Sequence, residues 1–154
     1  MNKVVSMEDM IPLIKNQLEA GGKATFTPKG ISMLPMLRDG MDTVTIARAQ
    51  FPMKKYDLPL YQRKDGSYVL HRVVDLCQGK YVMRGDGQFV KEYGIEDSQI
   101  IGIVVSFTRK GKKYSCKSLG YQIYVKVWVA TVSLRKIKKK GRRILGRIKR
   151  KILG

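Results

Sequence analysis

The sequence predicts a mainly β domain, a small coiled antiparallel sheet of barrel-like form, with one helix at its N-terminus and a basic amphipathic helix at its C-terminus. Three observations carry this. After Gly21-Gly22 the apolar pattern changes from helical spacing to period two, in about six short runs separated by turn residues. Before those glycines, Met10, Ile14 and Leu18 recur every four residues. The last twenty residues set Ile137, Ile144, Ile148 and Ile152 on one helical face among 11 Lys and Arg.

Each element has its own local reason. Ser6 can cap the first helix, with Asp9 three residues on as a weak capping partner, and Gly21-Gly22 ends it. Pro12 is tolerated in a first turn, which predicts a start near Asp9. "ATF" (24–26) is a short strand and "TVTIARA" (43–49) alternates. "DLPLYQR" (57–63) runs into the turn "KDG", where Gly66 is free to take positive φ. "SYVLHRVVDL" (67–76), the turn "CQGK" and "YVMRGD" (81–86) follow. "QIIGIVVSFTR" (99–109) is the most apolar run, and "KGKK" turns it toward "YSC".

Residues 119–134, "LGYQIYVKVWVATVSL", fit either period. As a strand, Ile123, Val125, Val127 and Val129 share a face; as a helix, Gln122, Lys126, Ala130 and Ser133 form a weakly polar stripe. The segment is shorter than the roughly 20 apolar residues that span a bilayer, and Lys126 sits near its middle. It suits a membrane interface, with Trp128 and the tyrosines at headgroup depth. The chain thus divides into an N-terminal helix (1–22), a β-rich domain (23–118), and an apolar segment with a basic tail (119–154).

The net charge of +19 is unevenly spread. All 12 acidic residues lie at or before Asp97, nearly balanced there by 14 Lys and Arg; from Ser98 onward there are 17 basic residues and no acidic one. Glu8, Asp9 and Glu19 within the N-terminal apolar stretch exclude a signal-peptide core, so the chain is expected on the cytoplasmic side. Cys77 and Cys116 match no zinc spacing and His71 is the sole histidine, which excludes a disulfide framework and makes a structural metal site unexpected. No cofactor is implied.

Chemistry concentrates in "KGISMLPMLRDGMDTV" (29–44). Ser32, between Gly30 and Pro35, is either a turn former or a nucleophile. The glycine-serine-glycine elbow of the α/β hydrolases is absent, and the Ser-x-x-Lys match "SLRK" (133–136) lies in the basic tail, where chance matches are expected. His71 shares a strand face with Val69 and Val73, so it is either a hydrogen-bonded core residue or a base. "RGDG" (84–87) reads as a turn at a strand end.

Taken together, Ser32-Met33-Leu34-Pro35, the "RDGMDTV" turn into a strand, "HRV" on a later strand and "RGDG" after the next resemble the signal peptidase family, of the clan that also holds the LexA-like self-cleaving peptidases. The resemblance runs from about Thr25 to Arg109 and is to the histidine type found in the endoplasmic reticulum and archaea. It implies the small coiled β fold of that clan, with Ser32 as nucleophile, His71 as general base and Asp86 as an acid near the histidine. The family continues its Gly-Asp with Asn and a second acid; here Gly87 and Gln88 follow, and Glu92 or Asp97 is left for that role. Gly30 stands where bacterial members carry an oxyanion-stabilising hydroxyl, which leaves backbone N–H groups for that task. Met33, Leu34 and Met36 are either core or the lining of shallow pockets for small substrate side chains.

No counterpart of the family's N-terminal membrane anchor is expected, and the membrane handle is expected at the C-terminus, against an anionic inner leaflet. The function expected is a serine endopeptidase acting on a leader or precursor peptide at the inner face of the cell membrane. The alternative is a catalytically silent binding module whose basic tail engages anionic membrane or nucleic acid. Polybasic tails bind phosphate backbones, but the one-sided isoleucines favour lipid.

Overall fold

The computed structural model describes residues 6–153, with side chains described through residue 144. Helix α1 (Met7–Glu19) starts at Ser6, whose hydroxyl accepts from the Asp9 N–H. The helix begins before Asp9 and accommodates Pro12 in its interior, because this end is anchored by packing: Ile11, Ile14 and Leu18 are buried against the sheet.

Nine strands follow: β1 (Ala24–Phe26), β2 (Thr43–Ala47), β3 (Pro59–Gln62), β4 (Tyr68–Leu70), β5 (Arg72–Cys77), β6 (Lys80–Arg84), β7 (Glu92–Ile95), β8 (Ile100–Arg109) and β9 (Lys112–Ser115). All pairings are antiparallel, but they form two sheets rather than the barrel-like single sheet expected. One runs β1-β2-β8-β3-β4 with β9 also on β8; the other is β5-β6-β7. The physical reason lies at His71. The run 67–76, which reads as one strand, breaks there into β4, paired with β3, and β5, paired with β6, so the chain changes sheets at the histidine.

Long β8 is the spine. It pairs with β2 along one edge, and with β3 and then β9 along the other. A main core gathers α1, β1, β2, Met33, Met36 and Leu37 around Val44, Ile46, Leu60 and Val104. A smaller core of Met53, Tyr61, Val73, Tyr81, Met83 and Ile95 lies beneath the second sheet.

The ambiguous segment 119–134 is helical. Helix α2 (Leu119–Ala130) is capped by Ser118 and buries Tyr121 and Val125; helix α3 (Val132–Leu153) continues it beyond Thr131. Trp128 is half-buried, its indole N–H donating to the Asp86 carbonyl at 2.9 Å. Ile137 and Ile144 are exposed, while the side chains of Ile148 and Ile152 lie outside the described residues. Among the described residues no helix is long and apolar enough to cross a membrane.

Candidate active site

The segment 28–42 folds back on itself as a closed loop. The Gly40 N–H donates to the Pro28 carbonyl, the Gly30 N–H to Asp39 Oδ1 at 2.7 Å, and the buried Asp42 carboxylate accepts from the Arg38 backbone and guanidinium. Gly30 has φ of +102°, which a side-chain-bearing residue adopts only with strain, and this is the local reason the position carries no hydroxyl. Met33, Met36 and Leu37 plug into the core, so the intervening residues face outward. Ser32 is half-buried at the lip of a cavity of about 220 Å³.

His71 lines the same cavity, together with Met33, Leu37, Leu70, Arg63 and Gln88. Loop 85–88 is clamped against both. The Gly87 N–H donates to the Ser32 carbonyl at 2.8 Å. A Cβ on Gly85 would lie 2.5 Å from the Ser32 carbonyl oxygen and 3.1 Å from His71 Nε2, so Nε2 faces the Ser32 backbone across a glycine that only a hydrogen atom allows. Among the described residues no hydrogen bond joins the Ser32 hydroxyl to Nε2.

On its other side the imidazole meets a hydrogen-bonded chain. Nδ1 lies 3.3 Å from the Tyr61 hydroxyl and 3.8 Å from Glu92 Oε2. Tyr61 donates to Glu92 Oε2 at 2.8 Å, and Arg63 grips both Glu92 oxygens at 2.8 Å. A phenol has one proton. Spent on Glu92, it leaves the Tyr61 oxygen as an acceptor for Nδ1–H, and that tautomer leaves Nε2 free to take a proton.

The charges are consistent with this. Burial first, and Arg63 second, lower the pKa of His71 to about 4 against the opposing pull of Glu92 and Asp86, so the ring is neutral at pH 7. Burial disfavours the Glu92 anion, but the hydrogen bonds from Arg63 and Tyr61 outweigh it and hold the carboxyl below its usual range. Tyr61 is raised by burial and by Glu92, and stays protonated.

Asp86, the acid expected beside the histidine, has its carboxylate on Arg72 instead. Both oxygens accept from the fully buried guanidinium, at 2.8 and 2.6 Å. Arg72 also donates to the Tyr56 carbonyl, the Tyr121 hydroxyl and Met36 Sδ. Burial opposes its charge, but Asp86 more than offsets this and holds its pKa above the ordinary value. Asp97 accepts from Tyr81. Glu92 is therefore the carboxylate nearest His71 Nδ1. Of the three expected lining residues only Met33 borders the cavity; Met36 is buried against Arg72, and Leu34 lies outside the cavity wall, partly exposed.

Tyr61 and Arg63 are the residues that sequence reasoning missed. Their signal was faint: a tyrosine and an arginine two apart at a strand end, hence on one face. Among the described residues no group of three His, Cys, Asp or Glu is gathered that could hold a metal ion. Compared with known proteins, the chain matches no family model and no curated protein sequence.

Proposed function

We propose that the chain is a serine endopeptidase of signal-peptidase type, cleaving a leader or precursor peptide at the cytoplasmic face of a membrane. The observation that carries the reading is the convergence of Ser32 and His71 on one cavity, with a neutral imidazole whose Nδ1 is engaged by Tyr61 and whose Nε2 faces the serine loop.

In this reading Ser32 Oγ attacks the scissile carbonyl while Nε2 takes its proton, forming the Oγ–C bond. The imidazolium returns that proton to the leaving amine as the C–N bond breaks, and water then hydrolyses the acyl-enzyme by the same route. Glu92 is too distant for a direct hydrogen bond to Nδ1, so its charge acts through the Tyr61 hydroxyl. The Ser32 backbone N–H is the donor proposed for the oxyanion. Gly30 supplies no hydroxyl beside it, and the loss of one oxyanion donor typically costs on the order of 10² to 10³ in rate, which predicts a slow enzyme. Asp86 serves by holding the loop, not by touching the histidine.

The test is cleavage of labelled peptides with small residues before the cut, in anionic vesicles and in detergent. Turnover by the wild type that is lost in both Ser32→Ala and His71→Ala supports the reading. A folded wild type with no turnover favours the silent binding module, and turnover unaffected by Ser32→Ala overturns Ser32 as the nucleophile.

A further inference from the structure

Helices α2 and α3 have two unlike faces. One holds the domain: Tyr121 and Val125 are buried, Tyr124 and Val129 pack on the core, and Trp128 and Arg135 both donate to the Asp86 carbonyl, with the Arg135 guanidinium 3.6 Å from the indole centroid. On the other, Leu119, Ile123, Val127, Leu134, Ile137 and Ile144 are between 47% and 75% exposed. Thr131 joins the two helices: its N–H closes α2 by donating to the Val127 carbonyl, and its carbonyl opens α3 by accepting from the Arg135 N–H. Counted within each helix, Leu119, Ile123 and Val127 of α2 fall within about 80° of arc, and so do Leu134, Ile137 and Ile144 of α3, a stripe carried on both helices.

We infer that this stripe is a docking surface for an anionic lipid bilayer, lying in the plane of the interface. The inference rests on the membrane part of the proposed function and deepens it: the contact begins in α2, ahead of the polybasic tail. Charge complementarity names the occupant. Lys126 flanks the row on α2, and Lys138 and Lys140 flank the two sides of the row on α3, all exposed, and no acidic residue occurs after Asp97. Lysines so placed extend to headgroup phosphates while the apolar row enters the acyl boundary. A second copy of the chain would set lysine against lysine. Nucleic acid would satisfy the lysines and leave the aliphatic row in water.

The opposite face gives the docking a purpose. Trp128 and Arg135 hold the carbonyl of Asp86, and the next residue, Gly87, holds the Ser32 carbonyl. A bilayer under the stripe therefore fixes the orientation of the Ser32 cavity relative to the membrane.

The experiment is vesicle co-sedimentation of the full chain carrying Ser32→Ala, at physiological salt, with phosphatidylcholine alone and with phosphatidylcholine containing phosphatidylglycerol. Binding is expected only to the anionic vesicles, and Ile123→Asp or Val127→Asp should each weaken it tenfold or more with the melting temperature unchanged. Val127→Trp, which enlarges the apolar row, should tighten it. Binding indifferent to these α2 substitutions would reduce the contact to the tail's charge and overturn the inference. So would equal binding to neutral vesicles, or a dimer in solution that Ile123→Asp dissociates. Loss of vesicle binding with detergent cleavage by the wild type intact would overturn the docking surface alone; binding without cleavage would overturn the peptidase.

Discussion

His71 shows how much a single side chain's surroundings decide. Its ring is buried, 3.3 Å from a phenol and 3.8 Å from a carboxylate that two donors already hold. As the sole histidine it gives one imidazole resonance, which should titrate in NMR with a midpoint of about 4; a midpoint near 6.5 would mean the ring is solvated. The sign of each neighbour can be tested. Glu92 raises this pKa and Arg63 lowers it, so Glu92→Gln should move the midpoint further down and Arg63→Gln should move it up. Tyr61→Phe removes the acceptor for Nδ1–H and the donor to Glu92. A neutral hydrogen bond is worth about 1 kcal/mol, so the peptidase reading expects kcat/KM to fall roughly fivefold, measured by initial rates at pH 7. The sequence offered His71 both as core and as base, and the geometry is compatible with both at once: it is buried, hydrogen-bonded and open to the cavity on one edge.

At the scale of elements, the loops converge because glycines let backbones touch. Gly85→Ala would drive a methyl group to 2.5 Å from the Ser32 carbonyl; a destabilisation of about 1–3 kcal/mol and loss of cleavage are expected, read by urea melts and peptide assay. Asp86→Asn leaves Arg72 charged and unpaired at full burial, which costs about 3–5 kcal/mol. If Asp86 instead served only the histidine, the melt would barely move. Most strands were legible, since β1, β2, β3, β6 and β8 carry period-two runs between turn residues. The sheet change at His71 was not, because a strand that passes from one sheet to another keeps its alternation. Strand β7 was hidden for a different reason: it is four residues long and holds Gly94 at φ +82°. Glu92 starts that strand, so its place beside the histidine was hidden too. The serine loop was legible as an irregular, glycine-flanked segment, while the partner of each carboxylate depended on which buried cation lay within reach.

For the molecule as a whole, the nearly charge-balanced residues up to Asp97 line the cavity, and the wholly basic remainder supplies the spine strand β8 and the helices held to the Asp86 carbonyl through Trp128 and Arg135. The buried histidine couples the domain's stability to pH. Its folded pKa of about 4 lies below the unfolded value of 6.5, so the unfolded chain binds more protons between them. This contribution is complete above pH 6.5 and is lost as pH falls toward 4, amounting to about 3 kcal/mol. Urea melts at pH 7 and 4.5 should show a drop in the wild type that is reduced in His71→Gln. The proposed chemistry is probed most directly by labelling with a peptidyl electrophile that captures activated serines, followed by mass-spectrometric mapping in wild type, Ser32→Ala and His71→Ala. One adduct on Ser32, formed at neutral pH and absent from the His71→Ala protein, is the predicted result. An adduct that forms equally without His71, or none on a folded wild-type protein, would contradict a serine nucleophile activated by this histidine.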